Sequence, residues 1–303
     1  MKIFSNSSDS VCIIIPHLNE KQIILDCLDS IRKKTEFLNH FIVVVDNGSR
    51  DGSVSAIRNK FPEVKLICNK TNLGFPKAIN QAVRAYPAKY YFLLNNDTII
   101  IQPYWLKTLV KIMEENEDLG ILGTKQISPV EVGNFLKQIE KLAVSEKLNF
   151  QNFVFYGQVL IRSKVFLSAG LLDEDFSPAY IEDHDHCFRA LKKGWKLAII
   201  PSIRIVHLGM VTGSKLKLYK SYLLIRNSIL FMLYNFNLRK CIMKISGMYY
   251  RILKTIVPGR ELPPGLKVTP MAMWFYIKNM IPIIKKRIYR LRDPTYSKPI
   301  NFR

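Results

Sequence analysis

Short, continuous runs of β-branched and other apolar residues alternate with segments of helical apolar spacing through the first hundred residues of this chain. The strand-like runs are residues 11–15, 41–45, 64–68 and 90–94, and the clearest helical segments are residues 20–34 and 76–86. Continuous apolar strands are typical of parallel sheets covered on both faces, and strand–helix alternation is typical of doubly wound folds. The chain is therefore predicted to form an α/β sheet whose ligands bind beyond the carboxyl ends of the strands.

Polar turns follow three of these runs, at the positions where a ligand is expected. The turns are Pro16 to Asn19, Asp46 to Ser53 and Asn95 to Thr98. None is a Gly-x-Gly-x-x-Gly turn, and the sequence has no Gly-x-x-x-x-Gly-Lys-Ser/Thr loop, which disfavours dinucleotide dehydrogenases and P-loop ATPases. Asp46 could accept hydrogen bonds from a base or ribose, and Asp97 is a ligand type preferred by Mg²⁺ and Mn²⁺. The same residue types also favour ordinary turns and helix caps, which is the structural alternative.

A second polar segment lies at residues 180–189. Its acidic residues precede an apolar helical pattern, as expected for a helix N-terminus. Asp185 and Arg189 are four residues apart and are predicted to pair on one helix face. His184 and His186 raise a zinc-site alternative, but neighbouring helix residues point in different directions, so no dedicated zinc site is predicted.

Taken together, these segments resemble the nucleotide-sugar-dependent glycosyltransferases of family 2, inverting enzymes with the GT-A fold. The matching segments are residues 11–20, 42–53, 72–75 with Asn80, 93–98, Gly157 with 160–162, 169–174, 182–185 with Arg189, 194–195 and His207. Within the family, the chain resembles bacterial rhamnosyltransferases and other polysaccharide-building enzymes. The resemblance implies an N-terminal tail at 1–10 and a GT-A domain at 11–212, with a Rossmann-like, mostly parallel sheet and helices on both faces.

The resemblance also implies a role for each matching residue. Asp183 is the implied catalytic base, and Asp97 is the implied ligand for Mg²⁺ or Mn²⁺, with His207 as a further metal or diphosphate contact. Position 95 carries Asn where the family's Asp-x-Asp motif has its first Asp, so a two-carboxylate clamp is absent and weaker metal binding is expected. Acceptor or supporting contacts are implied for Gly157 and Glu182. Donor-nucleotide contacts are implied for Pro16, His17, Asn19, Asp46, Asn72, Asn80, Asn95 and Asn96.

The implied reaction moves a sugar from a nucleoside-diphosphate donor to an acceptor hydroxyl by metal-assisted, inverting displacement. Such a reaction needs a base for the hydroxyl and neutralisation of the leaving diphosphate. Cell-surface polysaccharide or glycolipid assembly is the expected setting, with a glycan or lipid-linked acceptor. A sugar-phosphate nucleotidyltransferase is the nearest enzymatic alternative. A processive synthase is not expected, because the sequence has no Gln-x-x-Arg-Trp motif.

Positive charge is concentrated in the last third of the chain. Of 45 Lys and Arg and 24 Asp and Glu, 20 and 2 respectively lie after residue 203. These cations are interleaved with aromatic and aliphatic residues at helical spacing, which predicts a helical extension at 213–303, with a Pro- and Gly-rich hinge at 258–265. Such a composition is typical of segments that bind anionic membrane surfaces, so this charge is expected to serve attachment and not the reaction.

The basic third has three alternative explanations: packing on the catalytic domain, a homodimer contact, or nucleic-acid binding by a non-enzymatic protein. No nucleic-acid module is recognised, so no nucleic-acid partner is expected. The sequence contains no apolar run long enough for a spanning helix, and its first ten residues lack the apolar segment of a signal peptide. We expect a cytoplasmic protein, peripheral on the inner face of the membrane. Its five scattered cysteines are predicted to be buried core thiols.

Overall fold

A computed structural model describes residues 10–36, 39–133, 148–209, 217–255 and 263–292. In these ranges nine strands form one sheet. The strands are β1 (Val11–His17), β2 (His40–Asp46), β3 (Lys65–Cys68), β4 (Tyr90–Leu94), β5 (Thr98–Ile100), β6 (Leu119–Ile127), β7 (Asn149–Gln151), β8 (Gln158–Arg162) and β9 (Lys196–His207). The helices are α1 (Lys21–Lys34), α2 (Ser53–Lys60), α3 (Phe75–Ala85), α4 (Trp105–Glu115), α5 (Ser163–Ala169), α6 (Glu182–Lys192), α7 (Lys217–Asn235), α8 (Leu238–Leu253), α9 (Pro264–Lys278) and α10 (Met280–Leu291).

The strand order β3-β2-β1-β4-β8-β6-β9-β5 confirms the predicted α/β sheet, with β7 paired to β9. Strands β1 to β4 pair in parallel, which brings the carboxyl ends of β1 and β2 together, His17 opposite Asp46. Strand β8 runs antiparallel between β4 and β6. Strand β5 is antiparallel to β9, with Thr98 opposite His207. These pairings gather the predicted turns at one edge of the sheet.

Helices cover both faces of the sheet, as the resemblance implied. On one face Trp105 of α4 packs edge-on against Phe92 of β4, with ring centroids 4.8 Å apart. On the other face Phe166 of α5 meets Tyr91 of the same strand at 5.5 Å. Alternating residues of β4 therefore serve two separate cores, which explains why its whole run is apolar.

Strand β3 departs from the prediction of a strand buried on both faces. It lies at the sheet edge, and its residues are exposed or half-buried. Cys68 at its end is exposed, so the prediction of a core thiol is wrong there, whereas Cys12, Cys27, Cys187 and Cys241 are buried. Sequence alone does not identify an edge strand, because edge position depends on strand order.

The described part of the C-terminal third is helical, as predicted, and packs on the α/β part of the chain. Leu230 and Tyr234 of α7 and Ile283 of α10 form one buried cluster with Phe176. The predicted hinge at 258–265 lies largely outside the described residues, and α9 begins at Pro264. No helix in the described ranges is long and apolar enough to cross a membrane.

Helix α10 turns cationic side chains inward. Arg290 is buried and donates to both carboxylate oxygens of Asp185, at 2.5 and 3.1 Å, and to Asp173. Arg189 donates to Asp185 at 2.8 Å, which confirms the predicted pair. Burial alone would raise the pKa of Asp185, but the charges of Arg290 and Arg189 outweigh burial and hold that pKa well below its usual range. These cations therefore tie α10 to α6 through a shared carboxylate.

Replacing Arg290→Met should lower the free energy of unfolding by about 3–5 kcal/mol, because it leaves buried carboxylates with fewer charged partners. Denaturant unfolding measures the change. Lys285→Met, at an exposed position of the same helix, is the matched control and should unfold like the parent chain. Equal unfolding of both variants would show that the Arg290 network is not structural.

Candidate active site

A cleft of about 800 Å³ lies beyond the carboxyl ends of β1, β2 and β4. It is built by the turns that follow these strands, together with the end of β9. Seven residues predicted from the sequence line it: Pro16, His17, Asn72, Asn95, Asn96, Asp97 and His207. The predicted donor and metal contacts are therefore neighbours in space, although they come from segments far apart in the chain.

Asp46 and His17 are buried beside this cleft with unused polar atoms. Asp46 Oδ2 accepts from the backbone N–H groups of Gly48 and Ser49, both at 3.1 Å, whereas its Oδ1 has no partner in the described structure. His17 Nδ1 lies 3.2 Å from Asn96 Nδ2, and its Nε2 is likewise unpartnered. Burial lowers the pKa of His17 despite the opposing charge of Asp46. Buried polar atoms are rarely left unpaired, so these two are candidates for ligand contacts.

Asn19 and Asn80 are placed differently from the predicted donor contacts. Asn19 joins the two turns: its N–H donates to Ser49 Oγ at 2.7 Å, and its Oδ1 accepts from Arg50 N at 2.9 Å. Asn80 lies inside the fold, where its Nδ2 donates to Leu172 O and to a glutamate side chain, both at 2.9 Å. Neither residue lines the cleft. Their side-chain amides instead bind backbone groups of other segments.

The two predicted metal contacts meet across the β5–β9 pairing. His207 Nε2 lies 3.2 Å from Asp97 Oδ1, and Leu208 N donates to Asp97 O at 2.9 Å. Asn95 Nδ2 is 3.5 Å from the same His207 nitrogen. No group of three or more His, Cys, Asp or Glu in the described ranges could hold a metal ion. One carboxylate and one imidazole would suit a cation that takes its remaining ligands from substrate and water.

A second, more apolar cavity of about 340 Å³ adjoins the cleft. Asn95, Phe155 and Tyr180 line both spaces. Gly157 also lines the second cavity, where an added Cβ would lie 2.6 Å from Phe155 Cε1 and 2.9 Å from Asn95 Nδ2. Because Gly157 has no side chain, the side chains of Phe155 and Asn95 can approach its backbone closely.

Asp183 opens onto this second cavity from the first turn of α6. It is 5% exposed, and its Oδ1 accepts from His184 N at 2.8 Å and lies 3.0 Å from His184 Nδ1. His184 stacks on Phe153, whereas His186 lies within hydrogen-bonding distance of Tyr156 Oη and Gly170 O. The two histidines thus have separate structural partners.

Glu182 lines the same cavity and is buried, with its Oε2 unpartnered in the described structure. Burial, and secondarily the charge of Asp183, raise the pKa of Glu182 well above its usual range. Glu182 therefore keeps its proton to higher pH than an exposed glutamate does.

The expectation that the basic third stays apart from the reaction is wrong for α7. Lys220 lines the cleft, and Leu224 lines the second cavity. Asn227 is fully buried, and its Nδ2 lies 2.9, 2.9 and 2.7 Å from the carbonyl oxygens of Phe176, Ala179 and Tyr180. The sequence signal that α7 binds this loop is the polar Arg226-Asn227 pair inside a largely apolar stretch of the helix.

Glu182→Gln should make stability less dependent on pH. In the parent chain, stability from protonated Glu182 is fully present below the unfolded pKa near 4.5 and declines as pH rises toward the higher folded pKa. The variant should therefore gain stability over the parent at pH 8 but not at pH 4, as measured by denaturant midpoints. Glu117→Gln, at an exposed position, is the control. A parallel pH dependence of Glu182→Gln and parent would contradict the assignment.

Two solved structures share the fold of this chain. The mannosyltransferase PcManGT of Pyrobaculum calidifontis, solved with GDP-Man and Mn²⁺, matches 95% of this chain and 76% of its own, with a TM-score of 0.56 and 16% identity. GalNAc-T7, solved with UDP, GalNAc and Mn²⁺, matches 91% of this chain and 57% of its own, with a TM-score of 0.62 and 14% identity. At such low sequence identity, these structural likenesses establish the GT-A fold and not the function.

Sequence relatives have glycosyltransferase names. An uncharacterised glycosyltransferase of Haemophilus influenzae is 30% identical over 117 residues, 38% of this chain and 36% of the relative. The dTDP-rhamnosyl transferase RfbF of Shigella flexneri is 27% identical over 184 residues, 56% of this chain and 60% of the relative. The chain thus spans less than two thirds of either relative. The family model for glycosyl transferase family 2 matches residues 12–172, more than half of the chain, so the chain belongs to that family.

Proposed function

We propose that this protein is a glycosyltransferase that moves a sugar from a nucleoside-diphosphate donor to a hydroxyl of a glycan or lipid-linked acceptor, with inversion at the anomeric carbon. The observation that carries the proposal is that two neighbouring spaces share lining residues. The cleft contains the Asp97–His207 pair, the adjoining cavity contains Asp183, and Asn95, Phe155 and Tyr180 form their common wall. A donor in the cleft and an acceptor in the cavity would meet beside these three shared residues.

Asp183 would take the proton of the acceptor hydroxyl as its oxygen bonds to the anomeric carbon. The bond from that carbon to the diphosphate breaks on the opposite side, and its electron pair leaves with the phosphate oxygen. Because one displacement occurs at one carbon, the configuration inverts. The backbone N–H of His184 donates to Asp183 Oδ1 and so orients the carboxylate. A general base needs such a fixed orientation, because it must face the hydroxyl that it deprotonates.

Asp97 and His207 are the residues that would hold Mg²⁺ or Mn²⁺. Their oxygen and imidazole nitrogen fit such an ion, and both structural neighbours described above were solved with Mn²⁺. When bound, the ion supplies positive charge beside the diphosphate. Asp46 and His17, with their unpartnered atoms, would contact the nucleoside.

The rhamnosyl transferase relative and the O-antigen protein RfbC of Myxococcus xanthus favour a role in cell-surface polysaccharide or glycolipid assembly. The nucleotidyltransferase alternative requires a triphosphate and a sugar phosphate in place of a nucleotide sugar. Membership of glycosyl transferase family 2 argues against it, and also against a non-enzymatic nucleic-acid-binding protein.

Asp183→Asn should lower the rate of transfer by about 10²–10⁴-fold, because an amide cannot accept the hydroxyl proton. Donor affinity should be unchanged, since Asp183 lines the cavity and not the cleft. Turnover of UDP-, GDP- and dTDP-sugars, together with their binding by calorimetry, measures both effects. Near-normal turnover of the variant would remove Asp183 from its role.

We also propose that the C-terminal helices attach the enzyme to an anionic membrane surface on the cytoplasmic side. The described residues of α7 to α10 include no Asp or Glu. On α9 and α10 a row of large apolar side chains is exposed, whereas Arg290 faces inward. The exposed row is Trp274, Ile277, Ile281, Ile284 and Ile288. Exposed Lys278 and Lys285 border it, so charge favours an anionic lipid surface over a second, equally basic copy of this chain.

Flotation with vesicles tests this attachment. The parent chain should float with vesicles containing phosphatidylglycerol at low salt, and much less with neutral vesicles or at high salt. Trp274→Ser should weaken flotation, whereas Phe150→Ser, at a similarly exposed aromatic residue of β7, should not. Failure of the parent chain to bind anionic vesicles at low salt would disprove the attachment.

A further inference from the structure

The cleft has more acidic than basic lining residues, although the proposed donor would place a diphosphate in it. Glu20 and Asp97 line it, and Asp46 is buried beside it. Among the described residues that line the cleft, Lys220 is the one Lys or Arg. Position 95 is Asn, so the turn at residues 95–97 offers a cation one carboxylate and not two. The charge that neutralises a diphosphate here must come partly from elsewhere.

Lys220 is placed by contacts that also shape the active site. It lies near the start of α7, with its Nζ 5.6 Å from the centroid of the Tyr180 ring. Tyr180 belongs to the wall shared by the cleft and the second cavity. Farther along α7, Arg226 Nη2 donates to Ser177 O at 2.6 Å, and Asn227 donates into the same loop. The helix that carries Lys220 is thus fixed against the segment leading to Asp183.

The position of Lys220 leaves its ammonium group available for an anion. Its side chain is exposed, and no carboxylate in the described parts of the chain forms an ion pair with it. An ammonium group is a compact charge that interacts strongly with phosphate oxygens. The Tyr180 ring beneath it limits where that charge can lie.

Resting on the proposed function, we propose that Lys220 is a catalytic residue that contacts the diphosphate of the donor. As the bond from the anomeric carbon to the phosphate oxygen breaks, the electron pair stays on that oxygen, and Lys220 stabilises the charge while keeping its own proton. Such stabilisation acts on charge that develops during the reaction, which is where it accelerates a displacement most. Lys220 thereby offsets the weaker metal site that a single carboxylate implies.

The test compares Lys220→Ala and Lys220→Arg with Lys254→Ala. Lys254 is a matched control, because it also lies over a tyrosine ring, at 4.7 Å from Tyr250, but does not line the cleft. Calorimetry with UDP, GDP and dTDP in EDTA measures diphosphate binding without metal. Uridine, guanosine and thymidine measure the nucleoside contribution alone. Thermal unfolding of each ligand-free variant reports whether the fold is intact.

Lys220→Ala should weaken binding of the preferred nucleoside diphosphate in EDTA by about tenfold or more, without weakening binding of the nucleoside. It should also lower kcat by about 10²-fold and raise the Mn²⁺ concentration needed for half-maximal rate. Lys220→Arg should recover part of the diphosphate affinity, and Lys254→Ala should match the parent chain.

Equal loss of diphosphate and nucleoside affinity would overturn the proposal, because it would mean that Lys220 only maintains the cleft. Parent-like affinity and kcat for Lys220→Ala would overturn it as well. Failure of the proposed function is distinguishable: a parent chain that binds nucleoside diphosphates through Lys220 but transfers no sugar would disprove the transfer reaction and leave the Lys220 contact standing.

Discussion

The buried carboxylate of Asp185 joins the two halves of this protein. It pairs with Arg189 on its own helix and with Arg290 of the last described helix, and Asn235 donates to it at 2.8 Å. A buried charge is tolerated only when such partners compensate for lost hydration. Because Asp185 lies one turn of helix from Glu182 and Asp183, the same contacts that hold the C-terminal helices also fix the start of α6. The placement of Asp183 therefore depends on residues of the C-terminal third.

This arrangement changes how the basic third is understood. Its described cations include members in three different settings: Arg226 and Arg290 are buried and bind carbonyl or carboxylate oxygens, Lys220 lines the cleft, and Lys278 and Lys285 lie on the surface. Composition alone assigned all of them to one task. Physically, only the exposed members can act on a distant membrane, because buried charges are already neutralised by their partners.

Several features followed directly from the sequence. Continuous apolar runs marked β1, β2 and β4, since a strand covered on both faces must be apolar throughout, and the turns after them carried most of the cleft residues. Asn80 and Lys220 show where that reasoning fails. Asn80 sits in a matching motif, yet its amide holds Leu172, 92 positions away. Lys220 looks like any solvated lysine of a basic helix, because nothing local indicates that α7 returns to the cleft.

Sequence by itself determined the α/β class, the helical C-terminal third and the turns that carry Asp46, Asp97 and Asp183, because these depend on periodicity and on residues close together in the chain. It also carried the ordered motifs by which the chain resembles its family. Tertiary structure alone decided strand order, and with it that β3 is an edge. It also decided that Asp97 meets His207, that Asp183 faces a cavity joined to the cleft, and that α7 completes both spaces. These features arise from packing between segments tens of residues apart, and residue spacing carries no record of such contacts.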